Sequence, residues 1–352
     1  MSILEKENPQ QREEFESFVS THENGSFMQS LMWPQVKTGW DYEGIIVRNP
    51  EGKICGTALV LFKKIPLLGC TLMYLPRGPV CDFHDEWILS EITKEIKALA
   101  KKHNSYECIA DPFVRVEDIE ARNTFEKLGF VCDYDAPEGS TVQVRDNYML
   151  FIGGRDYDKL FEDSSSKCRY NTRLAVRKGV ECKIGTEADL DDFVKLMRVT
   201  GKRDGFNTRD KAYFERFLKA LGEHARLYMC YFDGKPVSGA VTTQYAGKTC
   251  YVYGASSNEH RNLMPNNLMQ WTMIKWAVDG GSYVYDFQGI PHYKEEEHPS
   301  FGMYRFKRSF NGEIVSFVGE YKLCFCAPKK RLVDFLEKCY GILNSIKRKL
   351  RR

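Results

Sequence analysis

The sequence predicts an α/β fold made of two tandem units, each a mixed β-sheet flanked by helices. Two observations predict it. The chain has 352 residues, more than twice the roughly 150 residues of an ordinary domain. A strand–strand–helix–strand pattern also recurs once along it, at a long offset. The composition, 43% hydrophobic and 28% charged, excludes disordered and low-complexity classes. It also supplies enough apolar surface for a core without staples.

The repeat can be followed element by element. Glu51-Gly52-Lys53 opens a hairpin into the strand GTALVLF, and Asp233-Gly234-Lys235 opens one into SGAVTTQY. Turns at Leu68-Gly69 and Ala246-Gly247 lead to the strands CTLMYLP and TCYVYGA. A helix follows in each copy. Ile88, Ile92, Ile96 and Leu99 mark one apolar face, and Leu268, Trp271, Ile274 and Ala277 the other. The next strands, YECIADP and SYVYDFQG, each carry a carboxylate near the C-terminal end, Asp111 and Asp286. Each copy closes on an aromatic segment, Thr124 to Phe130 and Tyr304 to Phe310. The offset is 182 residues at the hairpin turns and 175 at the carboxylates. Residues 1–150 are expected to form the first unit, completed by a C-terminal segment 318–352. Residues 151–317 are expected to form the second, with the link between units at 153–163.

Three helices are expected between the copies. The first, KCRYNTRLAVRKG, has Ser166 as a candidate cap and Gly179 as its end. LDDFVKLMRVTGKR and RDKAYFERFLKALG follow. The tail places Leu332, Phe335, Leu336, Cys339, Leu343 and Ile346 on one face, expected to pack on the body. Residues 327–352 hold nine Lys/Arg and two Asp/Glu, so the rest of this +3 chain is net −4. Such a basic tail suits an anionic partner, lipid surface or nucleic acid, or is simply a solvated helix end.

The twelve cysteines include no C-x-x-C, only Cys324-Phe-Cys326, which argues against zinc ribbons and redox pairs. Most lie in apolar runs, as buried thiols of a reducing cytoplasm do. No signal-peptide h-region or membrane-length apolar run is visible, so a cytoplasmic protein is expected, peripheral to the membrane at most.

The β-β-α-β unit ending in Leu128-Gly129-Phe130 resembles the GNAT acyltransferase fold. Its doubled form resembles the FemABX family, the aminoacyl-tRNA-dependent transferases of the peptidoglycan interpeptide bridge. The segments that match are Phe27 to Ser30 with Trp33, Lys37 and Trp40; Tyr74 to Val80; Arg169 to Gly179; Thr200 to Arg209 with Tyr213; Tyr251 to Ser256; Asp286 to Gly289; and Gly302 to Phe310 with Gly319 to Tyr321. They cover nearly the whole chain in order. No heptad run corresponds to the long helical arm of some members, so the chain resembles the compact, FemX-like type.

The resemblance implies two GNAT-like domains. It also implies attack by a stem-peptide amine on an aminoacyl ester, with Gly, Ala or Ser transferred to a UDP-linked or lipid-linked precursor. Aminoacyl-tRNA would be the co-substrate, with no cofactor and no metal. An ester is already activated, so such a site needs cations, tyrosines and a cleft rather than a triad. The scattered histidines fit no triad or metal spacing. Lys307, read as lying on a strand beside Asp286, matches the family's lysine at the ester carbonyl, where a cation bears the oxyanion. Lys37 and Arg209 match the diphosphate contacts, with Tyr213 four residues on. Tyr106, Asp111 and Tyr253 match the acceptor cleft, with Asp111 placed to take or orient the amine proton, and Arg77 of the matching Tyr74–Val80 segment is a further substrate-binding candidate.

Arg169, Arg173 and Arg177 form a basic stripe at helical spacing, a candidate tRNA-backbone contact. For Lys307 and Lys37 the plainer reading is a solvated lysine, and for Asp111 a turn cap before Pro112. Acyl-CoA transfer is the nearest rival. It requires a glycine-rich loop of backbone donors at a helix start, whereas the second copy reads Arg261-Asn-Leu-Met264-Pro265-Asn266. A non-catalytic membrane- or RNA-binding protein would explain the tail alone.

Overall fold

The structure, a computed structural model, describes residues 2–66 and 68–350, with side chains described as far as residue 339. The first copy supplies β1 (Ser2–Ile3), β2 (Asp41–Arg48), β3 (Ile54–Ile65), β4 (Cys70–Leu75), β5 (Val80–Cys81), β6 (Ser105–Ala110) and β7 (Val131–Cys132). Its helices are α1 (Pro9–Thr21), α2 (Trp33–Val36), α3 (Glu86–Lys102) and α4 (Ile119–Lys127). Next come β8 (Asp146–Phe151), α5 (Tyr157–Asp163), α6 (Ser166–Arg177), β9 (Glu181–Ile184), α7 (Leu190–Asp204) and α8 (Lys211–Leu221). The second copy continues with β10 (Ala225–Phe232), β11 (Lys235–Tyr245), β12 (Lys248–Ser256), α9 (Pro265–Asp279), β13 (Val284–Gly289), α10 (Phe301–Arg308) and β14 (Glu313–Ser316). The chain ends with β15 (Tyr321–Cys324) and α11 (Ala327–Leu350).

The first sheet runs β1-β2-β3-β4-β6-β15-β7, with β5 beside β3. The second runs β14-β8-β13-β12-β11-β10-β9. Taken from opposite ends, the two orders match position for position. β8 follows the first copy in the chain, yet it lies in the second sheet between β13 and β14. β15 follows the second copy, yet it lies in the first sheet between β6 and β7. The two strands start 175 residues apart, the offset that separates Asp111 from Asp286. Each copy therefore gives its last strand to the other sheet. A division after residue 150 falls inside β8, and residues 153–163 do not join the lobes. They lie within the second, where α5 buries Leu160 in its core.

Each sheet has one parallel pair, β4 with β6 and β12 with β13. In the second sheet the pair holds only from Lys248–Val284 to Cys250–Asp286 and then parts. Apolar helix faces cover the sheets as the spacing predicts. Ile88, Ile92, Ile96 and Leu99 are buried in α3, and Trp271, Ile274 and Ala277 in α9. A third core joins the lobes, packing Phe27 and Trp33 against Phe214 and Phe217. The buried ammonium of Lys248 adds a polar pin, donating to the carbonyls of Glu23, Gly25 and Ala246 at 2.5, 2.9 and 3.2 Å.

Two local expectations change. Ser165 rather than Ser166 caps α6, its hydroxyl accepting from the Cys168 N–H. The tail helix does not bury its apolar face. Val333 packs on Cys70 and Tyr106, while Leu332, Phe335 and Leu336 are 45%, 62% and 45% exposed. The helix meets the first sheet at β6 through Val333, and these three side chains stay in solvent. Leu343 and Ile346 lie outside the described side chains.

Candidate active site

Two cations meet where the lobes join. Pro34 starts the short α2, whose Trp33 is buried against Phe217, and the chain leaves it at Lys37. The Lys37 ammonium lies 5.1 Å from the Trp33 ring. Burial lowers its pKa, and the Arg209 cation lowers it further. Asp210 caps α8 by accepting from the Tyr213 N–H, so Arg209 stands before the helix rather than on its first turn. Its guanidinium still covers the Tyr213 ring at 5.1 Å. The Tyr213 hydroxyl shares a 2.8 Å hydrogen bond with that of Tyr253. Among the described residues neither Lys37 nor Arg209 has an acidic partner within ion-pair distance. Lys37 is half-buried and Arg209 is exposed, so two like charges stand together at the surface of the joint with no carboxylate between them, an arrangement that an anion can bridge.

Asp111 closes β6 and is fully buried. Tyr74 donates its hydroxyl to the carboxylate at 2.7 Å, and the Arg77 backbone N–H donates to the other oxygen. Burial pushes the carboxyl up to about 6, against the pull of the Arg77 charge. Arg77 is held in the left-handed region at φ 54°. Its guanidinium lies 4.8 Å from the Phe113 ring and 5.6 Å from that of Phe317. Tyr74, which sequence reasoning placed only in a matching strand, is thus a direct partner of the buried acid. Its position beside Leu75-Pro76 at a strand end was the available signal.

Asp286 occupies the same place in the second copy, at the last paired position before β12 and β13 part. It too is buried, which raises its pKa, and Arg77 and Lys307 both act on it. Lys307 is on a helix, not on a strand beside Asp286. The segment has helical spacing: Phe301 meets Tyr304, and Phe306 meets Phe310. The helix buries Lys307 to 4% exposure. Its ammonium donates to the carbonyls of Gln288 at 3.1 Å and Gly289 at 2.7 Å. Burial brings its pKa down to about 7, while Asp286 acts to raise it. An ammonium has three N–H groups, so one is left for a substrate oxygen.

A cavity of about 400 Å³ opens between the lobes, walled by Phe113, Phe151, Lys248, Tyr283, Asp286 and Phe317 among others. Lys307 is not one of its lining residues; Asp286 connects the two. Tyr106, expected in the acceptor cleft, is instead packed beneath the tail helix with Val333 and Cys70, where Glu107, Glu337 and Asp334 surround it. The arginine stripe is divided. Arg169 donates to the carbonyls of Glu162 and Ser164, whereas Arg173 and Arg177 are exposed. Their helix begins beside α10, with the Ser165 N–H donating to the Ser309 carbonyl at 3.0 Å.

The model of the FemAB family matches residues 10–235 and 231–338. Among curated relatives, the lipid II:glycine glycyltransferase of Staphylococcus epidermidis is 30% identical over 92% of this chain and 93% of its own. That of Staphylococcus aureus is 28% identical over 97% and 98%. The solved structure of FemX superposes with a TM-score of 0.85 at 27% identity, covering 95% of this chain and all of the other. A tandem GNAT protein from the clavulanic acid pathway shares the fold at a TM-score of 0.56 and 10% identity, over 92% of this chain and 97% of its own. The alignment to the Staphylococcus epidermidis relative runs over 391 positions, longer than this chain. No long helical arm is present among the described residues of the second lobe, where α7 and α9 reach 15 residues each. With two GNAT-like lobes, a shared cleft and a family match over most of its length, the chain belongs to the FemAB family.

Proposed function

We propose that this chain transfers an aminoacyl group from an aminoacyl-tRNA to the stem-peptide amine of a peptidoglycan precursor, building the interpeptide bridge. The names of its relatives point to lipid II as acceptor and glycine as the residue moved. Lys307 carries the reading: a buried ammonium, held by two carbonyls, with one N–H free for an oxyanion. The acceptor amine attacks the ester carbonyl, and a C–N bond forms as the carbonyl oxygen gains charge. Lys307 bears that charge. The bond to the ribose oxygen then breaks, Asp111 takes or orients the amine proton, and a proton passes to the ribose oxygen, which leaves as a hydroxyl. Lys37 and Arg209 hold the diphosphate of the acceptor, and Arg77, Tyr213 and Tyr253 line its path. Arg173 and Arg177 suit the tRNA backbone, starting from a helix that abuts α10.

The tail suits an anionic membrane surface, where the exposed Leu332, Phe335 and Leu336 would enter the interface beneath a basic segment. A chain ending at residue 326 is expected to lose co-sedimentation with phosphatidylglycerol vesicles while keeping tRNA binding. The reverse outcome would assign the tail to tRNA. Acyl-CoA transfer finds little support at the α9 start, where Pro265 takes the first helical turn and no side chain caps it.

The deciding assay offers radiolabelled glycyl-, alanyl- and seryl-tRNA with lipid II or the UDP-linked muropeptide. Label transfer to lipid II from glycyl-tRNA is expected. Turnover of acetyl-CoA with none from any aminoacyl-tRNA would overturn the proposal.

A further inference from the structure

Comparison of the two copies isolates one local device. In both, a buried aspartate stands where the parallel pairing stops, Asp111 directly after the last pair of β6 and Asp286 at the last pair of β13 with β12. After Asp111 the chain continues through Pro112, whose ring fixes φ near −65°. After Asp286 it bends sharply, with Gln288 in the left-handed region at φ 63°. A non-glycine residue stays there only when its surroundings hold it. Here the Asp286 carboxylate does so, accepting from the Gln288 N–H at 2.6 Å and from its side-chain amide at 2.8 Å. Asn147 on β8 steadies the other flank at 3.1 Å. The ladder to β8 skips between Asp286 and Gly289. The two carbonyls of this bend are those that grip Lys307. The lysine at the matching place in the first copy, Lys127, has no such bend beside it. It lies on the surface, paired with Glu86 at 3.0 Å.

We propose that Asp286 is the positioning residue for Lys307: it holds the 286–289 bend, so that the carbonyls of Gln288 and Gly289 orient the ammonium, and it supplies the negative charge facing that ammonium. This rests on the reading that Lys307 bears the oxyanion. Asp286 does not touch the reacting atoms in this scheme. Two of the three N–H groups are fixed through the bend, which leaves the third to donate to an ester oxygen. The charges around the pair are few. Asp286 on β13 faces Lys307, Arg77 from the loop after β4 acts on Asp286, Asp286 also acts on the buried Lys248 and Cys250 of β12, and Asn147 on β8 is neutral. Loss of the carboxylate therefore leaves the ammonium with dipoles alone.

The test compares Asp286→Asn, Lys307→Met and the double variant, with Lys127→Met as the surface control. Asp286→Asn is expected to lower kcat about tenfold or more while acceptor KM stays within about twofold. It should also move the alkaline fall of kcat to lower pH. In the Lys307→Met background the same change should cost no more than about twofold, because residues acting as a unit are not additive. A loss as large in that background as in the native chain would show Asp286 acting alone and overturn the proposal, leaving Lys307 in its role. Full activity of Lys307→Met would overturn the reading of Lys307 instead, and this proposal with it. If Asp286→Asn does not fold, Gln288→Met tests the same bend. A lowered kcat with acceptor KM within about twofold supports the proposal, and an unchanged kcat overturns it.

Discussion

Lys37 and Arg209 come from different lobes, and each lies on an aromatic face, the half-buried Lys37 on that of Trp33 and the exposed Arg209 on that of Tyr213. Their meeting depends on the interlobe core of Phe27, Trp33 and Phe217 beneath them. An anion bound there would touch both lobes at once. Lys37→Ala and Arg209→Ala are each expected to raise acceptor KM about tenfold with kcat nearly unchanged, the pattern of lost uniform binding. Steady-state kinetics at several salt concentrations checks this, because a charge-held diphosphate also loses affinity as salt rises.

Lys307→Met should lower kcat by about a hundredfold or more, with acceptor KM little changed, since one oxyanion donor is typically worth that much. The sign of the pH effect follows from the charge needed. Only the protonated lysine serves, and its pKa lies near 7, so activity of the free enzyme falls as pH rises through that value. Asp111, with a pKa of about 6, serves as a base only when ionised. Activity should therefore also fall as pH drops through about 6. A bell-shaped kcat/KM profile whose alkaline limb vanishes in Lys307→Met is the expected result.

Asp111→Asn should trade activity for stability. The folded-state pKa of Asp111 is raised above the ordinary carboxylate value. Its favourable contribution is thus fully present below the unfolded pKa and is lost as pH rises through about 6. A shift of this size corresponds to about 2–3 kcal/mol once the group is ionised. The amide keeps an acceptor for the Arg77 N–H, and the Tyr74 hydroxyl can turn to accept. Thermal unfolding at pH 7.5 should show a more stable variant, and at pH 4 the difference should disappear.

The exchanged strands β8 and β15 should make the lobes unfold together. A fragment of residues 1–150 lacks β15 between β6 and β7 and carries β8 with no sheet to enter. Such a fragment should not fold alone, and the full chain should melt in a single transition seen alike by calorimetry and by aromatic circular dichroism. Two separated transitions would contradict the exchange.

The sequence by itself determined the repeat, the strands and helices of each copy apart from the helix that carries Lys307, and the correspondence of Asp111 with Asp286. Those follow from local periodicity and turn chemistry, which neighbouring residues decide. It also placed Lys37, Arg209 and Tyr213 together through resemblance rather than through spacing, whereas the contact of Tyr213 with Tyr253 came from the structure. Only the tertiary structure decided which sheet β8 and β15 enter, because strand partners are chosen by packing across long separations. The same holds for Tyr106, which lies beneath the tail helix, and for Tyr74 at the buried acid. Lys127 and Lys307 lie in matching helical segments; what separates a surface ion pair from a buried ammonium is the bend after Asp286, a conformation held by hydrogen bonds that no periodicity records.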